Sequence, residues 1–125
     1  MDEHPYATMY RKGVEAMNAG DYQSQLDMIA DDVEWWQIGS AEPIRGKEAF
    51  LADMQGAEQD YTVHIDLHDV VANDDHLIAL VDATAERNGR TLHYRTAEIM
   101  HIRDGKLTHR WAFSDDTQRI IDFFA

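Results

Sequence analysis

The sequence predicts an α+β fold in which helices from the first half of the chain cover an antiparallel sheet built mainly from the second half. In the first half, apolar residues recur at helical spacing and are followed by helix-stop signals. From Tyr61 to Ser114, strand-forming runs alternate with turn signals at residues 73–75, 88–89 and 104–105. Asn-Gly and Asp-Gly favour two-residue hairpins, so neighbouring strands should be antiparallel. The length of 125 residues predicts one domain over residues 1–125.

Helix caps and stop signals place the individual elements. The first half is predicted to contain a helix over residues 5–19, a short helix capped by Asp21 and ended by Asp31 and Asp32, a strand over residues 33–38, and a helix from Gly46 to about Gly56. The second half is predicted to form a four-stranded meander. Ser114 or Asp115 is then expected to cap a short C-terminal helix.

Composition excludes several functional classes. The chain has no cysteine, so disulfides, thiolate metal sites and a cysteine nucleophile are excluded. Its 24 acidic and 11 basic residues give a formal charge of −13, which repels nucleic acids and anionic membranes, so neither is expected as a partner. The acidic N-terminus and the lack of a long apolar run predict a soluble, cytoplasmic protein. No phosphate loop or dinucleotide motif is present, and no cofactor is expected.

Four local motifs carry a resemblance to a known family. They are Asn18-Ala19-Gly20-Asp21, Ala30-Asp31-Asp32-Val33-Glu34-Trp35, Pro43-Ile44-Arg45-Gly46-Lys47-Glu48-Ala49, and Arg103-Asp104-Gly105-Lys106-Leu107 leading to Trp111. With these motifs the chain resembles, over nearly its whole length, the SnoaL-like polyketide cyclases of the nuclear transport factor 2-like and ketosteroid isomerase-like superfamily. The resemblance implies a cone-shaped, cystatin-like fold whose curved sheet is closed by the N-terminal helices. It also implies a pocket for a small hydrophobic molecule.

The resemblance does not select one reaction, because the superfamily includes isomerases, cyclases, dehydratases, epoxide hydrolases and non-catalytic members. Glu98 matches the position of the pocket carboxylic acid of ketosteroid isomerases. The isomerase general base would fall at or near Trp35 or Trp36, and the oxyanion tyrosine would fall at Gly13, with Tyr10 about one turn away. These departures argue against a steroid isomerase mechanism.

Hairpin register predicts which side chains face the pocket. Counting from the turn at residues 104–105 gives the inward pairs Ile102 with Leu107, Met100 with His109, Glu98 with Trp111, and Thr96 with Phe113. Glu98 and His109 would then be diagonal neighbours, with backbones ~7 to 8 Å apart. We therefore predict Glu98 and His109 as a catalytic acid/base pair, with a buried structural Glu-His pair as the alternative.

The opposite face of the same strands predicts an assembly. It pairs Asp82 with Arg95, Leu80 with Ala97, and Ile78 with Ile99. Because this face has one ion pair among aliphatic residues, we predict a homodimer through the convex side of the sheet. An ordinary, partly solvated sheet face is the alternative.

His64, Asp66 and His68 share one face of a strand, but the sequence does not decide which face. A loop at residues 73–75 with an even number of residues sends them into the cavity, whereas an odd number turns Val63, Ile65 and Leu67 inward. A bulge could still admit His68. The two histidines are ~13 Å apart along an extended strand, too far to share an ion, so no metal site is predicted.

Aromatic side chains complete the predicted pocket. The expected substrate-binding residues are Tyr10, Trp35, Trp36, Phe50, His68, Tyr94, Trp111 and Phe113. Strand alternation lets only one of Trp35 and Trp36 line the cavity, and core packing is the alternative for two of the three tryptophans.

Together these features predict a cofactor-independent enzyme that performs isomerisation, cyclisation or dehydration by proton transfer on a hydrophobic ligand. A non-catalytic ligand-binding or dimerising module is the alternative. An epoxide hydrolase would need two carboxylates and an arginine around one water, and the predicted Arg95–Asp82 pair points away from the cavity.

Overall fold

The computed structural model describes residues 3–125, so Met1 and Asp2 of the acidic N-terminus lie outside the described residues. The elements in chain order are α1 (Pro5–Asn18), α2 (Tyr22–Leu26), β1 (Ile29–Trp35), β2 (Ile44–Arg45), α3 (Lys47–Asp60), β3 (Thr62–Ala72), β4 (His76–Arg87), β5 (Arg90–Arg103), β6 (Lys106–Ser114) and α4 (Thr117–Phe124). The six strands form one curved sheet in the order β2-β1-β6-β5-β4-β3. The predicted α+β architecture, with N-terminal helices and a short C-terminal helix, is confirmed.

The sheet is antiparallel except at one strand pair. Strands β3 to β6 form the predicted meander, and β1 pairs with β2 in the antiparallel sense. Strand β1 runs parallel to β6 instead, because α3 and the meander lie between them in the chain and return β6 in the same direction. This pairing places Trp35 beside Arg110 and Glu34 beside His109.

Local signals predict α1 and α2 well. Helix α1 starts at Pro5, and the chain turns at Gly20, whose φ of +83° suits a residue without Cβ. Asp21 caps α2 by accepting a hydrogen bond from the backbone N–H of Ser24 at 3.2 Å. The predicted end of this helix is wrong, because it stops at Leu26 and Ile29 already belongs to β1.

Further boundaries differ from the prediction. Strand β1 runs from Ile29 to Trp35 and not over residues 33–38. Helix α3 continues through Gly56 to Asp60, because Gly56 keeps a helical backbone and does not take a positive φ. The two-residue strand β2 is too short to be recognised from its sequence pattern. Helix α4 is capped by Asp116, which accepts from the N–H of Arg119 at 3.1 Å, and not by Ser114 or Asp115.

The hairpin between β4 and β5 has the predicted register. Asn88 and Gly89 have φ values of +52° and +76°, as a two-residue hairpin turn of this type requires. Asp82 lies opposite Arg95, as expected, and Ala79 lies opposite Glu98. Glu98 consequently faces the helices, whereas Asp82 and Arg95 lie on the outer face.

The predicted register of β6 is wrong after its first two residues. Ile102 lies opposite Leu107 as expected, but a bulge at Thr108 then shifts the pairing by one residue, so that Met100 lies opposite Arg110 and His101 opposite His109. Thr108 is buried, and its hydroxyl donates to the His101 carbonyl at 3.3 Å. As a result Arg110 faces inward and His109 faces outward.

The direction of β3 is settled by a bulge at His68 and not by the loop that follows the strand. Next to the loop Val70 pairs with Ala79, an even spacing that would by itself turn His68 inward, opposite Val81. Val63 pairs with Ala85 and Leu67 with Val81, so the aliphatic side chains point inward. The bulge lies between Leu67 and Asp69, so His68 is exposed and does not enter the cavity. The expectation that His68 could line the pocket is therefore wrong.

The main core lies between α1 and the inner face of the sheet. Its members from α1 are Ala7, Tyr10 and Val14, and they pack against buried residues of β3 to β6 such as Leu77 and Met100. Across residues 3–125, none of the helices is both long and apolar enough to cross a membrane.

Candidate functional site

A small cavity of about 90 Å³ lies between the two N-terminal helices and the inner face of the sheet. Four lining residues are polar: Tyr10, Gln25, Glu98 and Arg110. The others are apolar or small: Gly13, Val14, Met17, Met28, Ile29, Trp35, Ile65 and Leu107. A few convergent polar groups in an apolar enclosure are typical of a small-molecule site.

A buried ion pair forms the polar wall of the cavity. Glu98 is only 5% exposed, and its Oε1 accepts hydrogen bonds from Nε of Arg110 at 3.1 Å and from Nη2 at 3.0 Å. The other oxygen, Oε2, is 3.4 Å from the hydroxyl of Thr96. Because Arg110 engages Oε1 alone, Oε2 retains lone pairs for another donor.

Strand β1 holds Arg110 in place. The Nη1 atom donates to the Trp36 carbonyl at 2.8 Å, and the guanidinium lies 4.8 Å from the ring centre of Trp35. Phe50 packs behind Trp35 with ring centres 4.7 Å apart. Of these predicted pocket residues, Trp35 lines the cavity, Trp36 contributes its backbone carbonyl, and Phe50 supports Trp35 from the core.

Tyr10 contributes a hydroxyl close to Glu98. Burial raises the pKa of Tyr10 well above its ordinary value, and the charge of the nearby Glu98 carboxylate acts in the same direction. The phenol is therefore neutral and can donate a hydrogen bond at neutral pH. Tyr10 and Glu98 are thus two predicted site residues that the structure brings together.

Gln25 contributes a polar atom whose hydrogen-bonding capacity is unused. Its Oε1 is buried at the cavity wall and has no hydrogen-bond partner among residues 3–125. Leaving a buried acceptor unpaired costs about 1 to 3 kcal/mol. A ligand with a suitably placed donor would remove this cost.

Tyr94 shares the inner face of the sheet but lies outside the cavity lining. Its ring packs edge-on against Phe124 of α4, with ring centres 6.3 Å apart. Burial, with a smaller effect of the Glu98 charge, raises the pKa of Tyr94 to about 12. Tyr94 therefore supports the end of the sheet near α4.

The structure separates His109, Trp111 and Phe113 from Glu98. His109 lies on the outer face, where Nε2 is 3.4 Å from Oε2 of Glu34 and the ring stacks on Trp111 at 5.7 Å. Phe113 is 61% exposed on the same face. The predicted Glu98–His109 pair is therefore not formed, because the bulge at Thr108 replaces His109 by Arg110.

Sequence reasoning missed Arg110, Gln25 and Met28. Arg110 is adjacent to His109, and only the bulge decides which of the two faces inward. Gln25 and Met28 lie around the end of a five-residue helix, where periodicity gives little information about direction. In the described range 3–125, no group of three His, Cys, Asp or Glu side chains is arranged to hold a metal ion.

The profile of the SnoaL-like domain family matches residues 10–110. This chain belongs to the SnoaL-like domain family. The match covers α1 through most of β6, and therefore includes every polar residue of the cavity wall.

Solved structures show the same fold at low sequence identity. Bal32a, from a soil-derived mobile gene cassette, is 22% identical, with a TM-score of 0.85 and 96% of each chain covered. A candidate polyketide cyclase from Xanthomonas campestris pv. campestris is also 22% identical, with a TM-score of 0.82 and 96% of each chain covered. An LEH-like epoxide hydrolase from M. tuberculosis is 13% identical, with a TM-score of 0.78, covering 88% of this chain and 82% of its own. No curated protein matches the sequence.

Proposed function

We propose that this SnoaL-like protein is a small-molecule enzyme in which Glu98 transfers a proton to and from a hydrophobic ligand. The observation that carries the proposal is the buried Glu98 carboxylate at the cavity wall, with one oxygen held by Arg110. The second oxygen lies 3.4 Å from the Thr96 hydroxyl, and the Tyr10 phenol lies close to the same carboxylate. Related folds include a candidate polyketide cyclase and an epoxide hydrolase, which supports an enzymatic role for this architecture.

The chemistry follows from the positions of these groups. Oε2 of Glu98 accepts a proton from a carbon next to a carbonyl group and returns it elsewhere on the ligand. The neutral phenol of Tyr10 donates a hydrogen bond to the oxygen on which negative charge develops. Arg110 fixes the carboxylate and balances its charge. Isomerisation, cyclisation and dehydration of a neutral carbonyl compound all need this proton transfer, and none of these steps needs a cofactor.

A non-catalytic binding module is the second candidate. It is favoured by the extent to which Arg110 is satisfied, because all three of its nitrogens contact Glu98 or the Trp36 carbonyl. Such a closed network also occurs in cores without a substrate. In this case the cavity would retain a ligand without changing it.

Epoxide hydrolysis has less support from the cavity lining. Arg110 faces inward, unlike the predicted Arg95, but Glu98 is the single carboxylate among the residues that line the cavity. A second carboxylate to orient the attacking water is therefore missing from this wall. The similarity to an epoxide hydrolase is a similarity of fold.

The test is incubation with a panel of lipophilic ketones, enones and β-diketones, followed by binding measurements and product analysis. We expect conversion of at least one compound by the wild type and loss of conversion in Glu98→Gln. The matched control is Glu34→Gln, which changes a half-exposed glutamate on the outer face near Arg45 and His109. Binding without conversion by the wild type would instead support the binding module and contradict the enzyme.

We also propose that the protein forms a homodimer through the outer sheet face. The exposed apolar side chains on this face are Val71, Ile78, Leu80 and Phe113. Arg95 and Asp82 form an exposed ion pair at 3.3 Å among them, which adds no net charge to the face. A cytoplasmic location stays a prediction from the sequence.

A further inference from the structure

We propose that the ligand reaches the cavity between α1 and α2, past the side chain of Met28. The ligand is an elongated, neutral, hydroxyl-bearing molecule whose hydroxyl donates a hydrogen bond to Gln25. This inference deepens the proposed function, since it rests on the cavity as the ligand site. It assigns a specificity-determining role to Met28 and a ligand-binding role to Gln25.

Met28 separates the cavity from a larger space outside. An open groove of about 430 Å³ lies on the outer side of α1 and α2. Gly13 and Met28 line both the groove and the cavity, whereas Met9 lines only the groove and Met17 only the cavity. The two spaces therefore meet at the contact between Gly13 and Met28.

At this contact the flexible side chain of Met28 lies against the backbone of Gly13, which has no side chain. A methyl group added at Gly13 would overlap the terminal thioether atoms of Met28. Met28 is half-buried in the turn after α2, and methionine has three rotatable side-chain bonds. Rotation of this side chain can open a passage over Gly13 without moving either helix.

The volume of the cavity by itself is small for an organic ligand. A cavity of about 90 Å³ holds about three water molecules at ~30 Å³ each. Pockets for organic ligands usually measure ~300 to 1,000 Å³. The cavity and the groove joined past Met28 fall within this range, and Gly13 and Met28 lie where the two spaces meet. An elongated ligand fits this shape, with one end beside Glu98 and the rest directed outward.

The polar end of the ligand is defined by the unpaired acceptor. Oε1 of Gln25 is buried at the cavity wall, and no group in the described part of the chain donates a hydrogen bond to it. A hydroxyl group can supply the missing donor, whereas an ether oxygen cannot. The carboxylate of Glu98 and the chain's formal charge of −13 disfavour an anionic ligand. A neutral alcohol satisfies each of these conditions.

The test uses straight-chain 1-alkanols of increasing length as probes, with binding followed by NMR titration. In the wild type, affinity should rise about fourfold per methylene until the cavity is filled and then level off. Met28→Ala should move this limit to longer chains and strengthen binding of the longest alkanols about tenfold. Met28→Leu, which keeps the bulk, should retain the wild-type limit.

Two methionines provide matched controls. Met17→Ala removes the same atoms from the cavity alone, and Met9→Ala removes them from the groove alone, so neither joins the two spaces. We expect Met9→Ala to keep the wild-type limit, and Met17→Ala, which enlarges the cavity alone, to raise it by at most about three methylenes, the volume of the atoms removed. An equal shift in Met17→Ala and Met28→Ala, or no shift in Met28→Ala, would overturn the role of Met28.

Gln25 is tested with pairs of ligands of equal length. The wild type should bind each 1-alkanol about fivefold more tightly than the matching alkyl methyl ether, and Gln25→Met should remove this preference. Equal binding of alcohol and ether by the wild type would contradict the assignment. These measurements do not depend on proton transfer, so the binding pattern can hold in Glu98→Gln even if the proposed enzymatic activity fails.

Discussion

Among single residues, Glu98 is the one on which the proposed chemistry depends, because its carboxylate is buried at the cavity wall beside Arg110. The turn at Asn88-Gly89 correctly placed Glu98 on the inner face, because the count from that turn meets no irregularity. The predicted partner of Glu98 was wrong, because the choice between His109 and Arg110 depends on one inserted residue. A single-residue shift in β pairing exchanges the two faces of a strand, so local patterns could not identify Arg110.

The buried pair makes a prediction about stability. Arg110→Ala leaves the Glu98 carboxylate buried without its counter-charge, so we expect the free energy of unfolding to fall by about 3 kcal/mol. The control is Arg95→Ala, which removes an exposed pair with Asp82 and should cost less than about 1 kcal/mol. Urea denaturation measures both, and equal losses would show that Arg110 does not stabilise a buried charge.

Tyr94 makes a prediction about alkaline pH. Its pKa is raised to about 12 in the folded protein against an ordinary value of 10.0, so the unfolded chain loses this proton first as the pH rises. The stabilisation is therefore complete below pH ~10 and is lost as the pH rises towards ~12, by an amount on the order of 2 kcal/mol. Thermal unfolding from pH 8 to 12 should show a shallower decline in Tyr94→Phe. An unchanged slope would contradict the buried environment of this hydroxyl.

At the scale of elements, caps and turns were predictable and β-bulges were not. Asp21 acts through a local hydrogen bond of its side chain, and Gly20 and the two hairpin turns act through positive φ values, so all of them can be predicted from nearby residues in the sequence. The bulge at Thr108 depends on burial of two consecutive residues, Leu107 and Thr108, against different neighbours. Tertiary packing decides that arrangement, and the candidate site depends on it.

The packing of α1 against the turn after α2 makes a prediction of coupling. Gly13→Ala should raise the free energy of unfolding by about 1 kcal/mol in a Met28→Ala background, because alanine favours the helix. In the wild-type background the new methyl meets the end of Met28, so the gain should be smaller. A double-mutant cycle measured by chemical denaturation gives the difference. Equal gains in both backgrounds would show that Met28 does not lie on Gly13.

In the whole molecule, the two faces of the sheet have different proposed roles. The inner face, covered by α1, carries the candidate site, and the outer face carries Phe113, Leu80 and the His109–Trp111 stack. The sequence predicted this division, because strand alternation and the turn at 88–89 set it for β4 and β5. The predicted register assigned three residues of β6 to the wrong face, because it did not include the bulge at Thr108.

The outer face predicts the state of association. We expect a dimer in analytical ultracentrifugation, and we expect Leu80→Glu or Phe113→Glu to give monomers, because each would bury a charge in the interface. Ile121→Glu is the control, since Ile121 is an exposed apolar residue of α4, beside Gly39. A monomeric wild type, or a dimer that survives both substitutions, would contradict this interface.

The proposed mechanism requires that Glu98, and not His109, exchanges protons with the ligand. The most direct measurement is deuterium incorporation at the carbon next to the carbonyl group of a bound ketone, followed by NMR in D₂O for the wild type, Glu98→Gln and His109→Ala. We predict incorporation by the wild type and by His109→Ala, and loss in Glu98→Gln with ligand binding retained. Undiminished incorporation in Glu98→Gln, or its loss in His109→Ala, would contradict the claim.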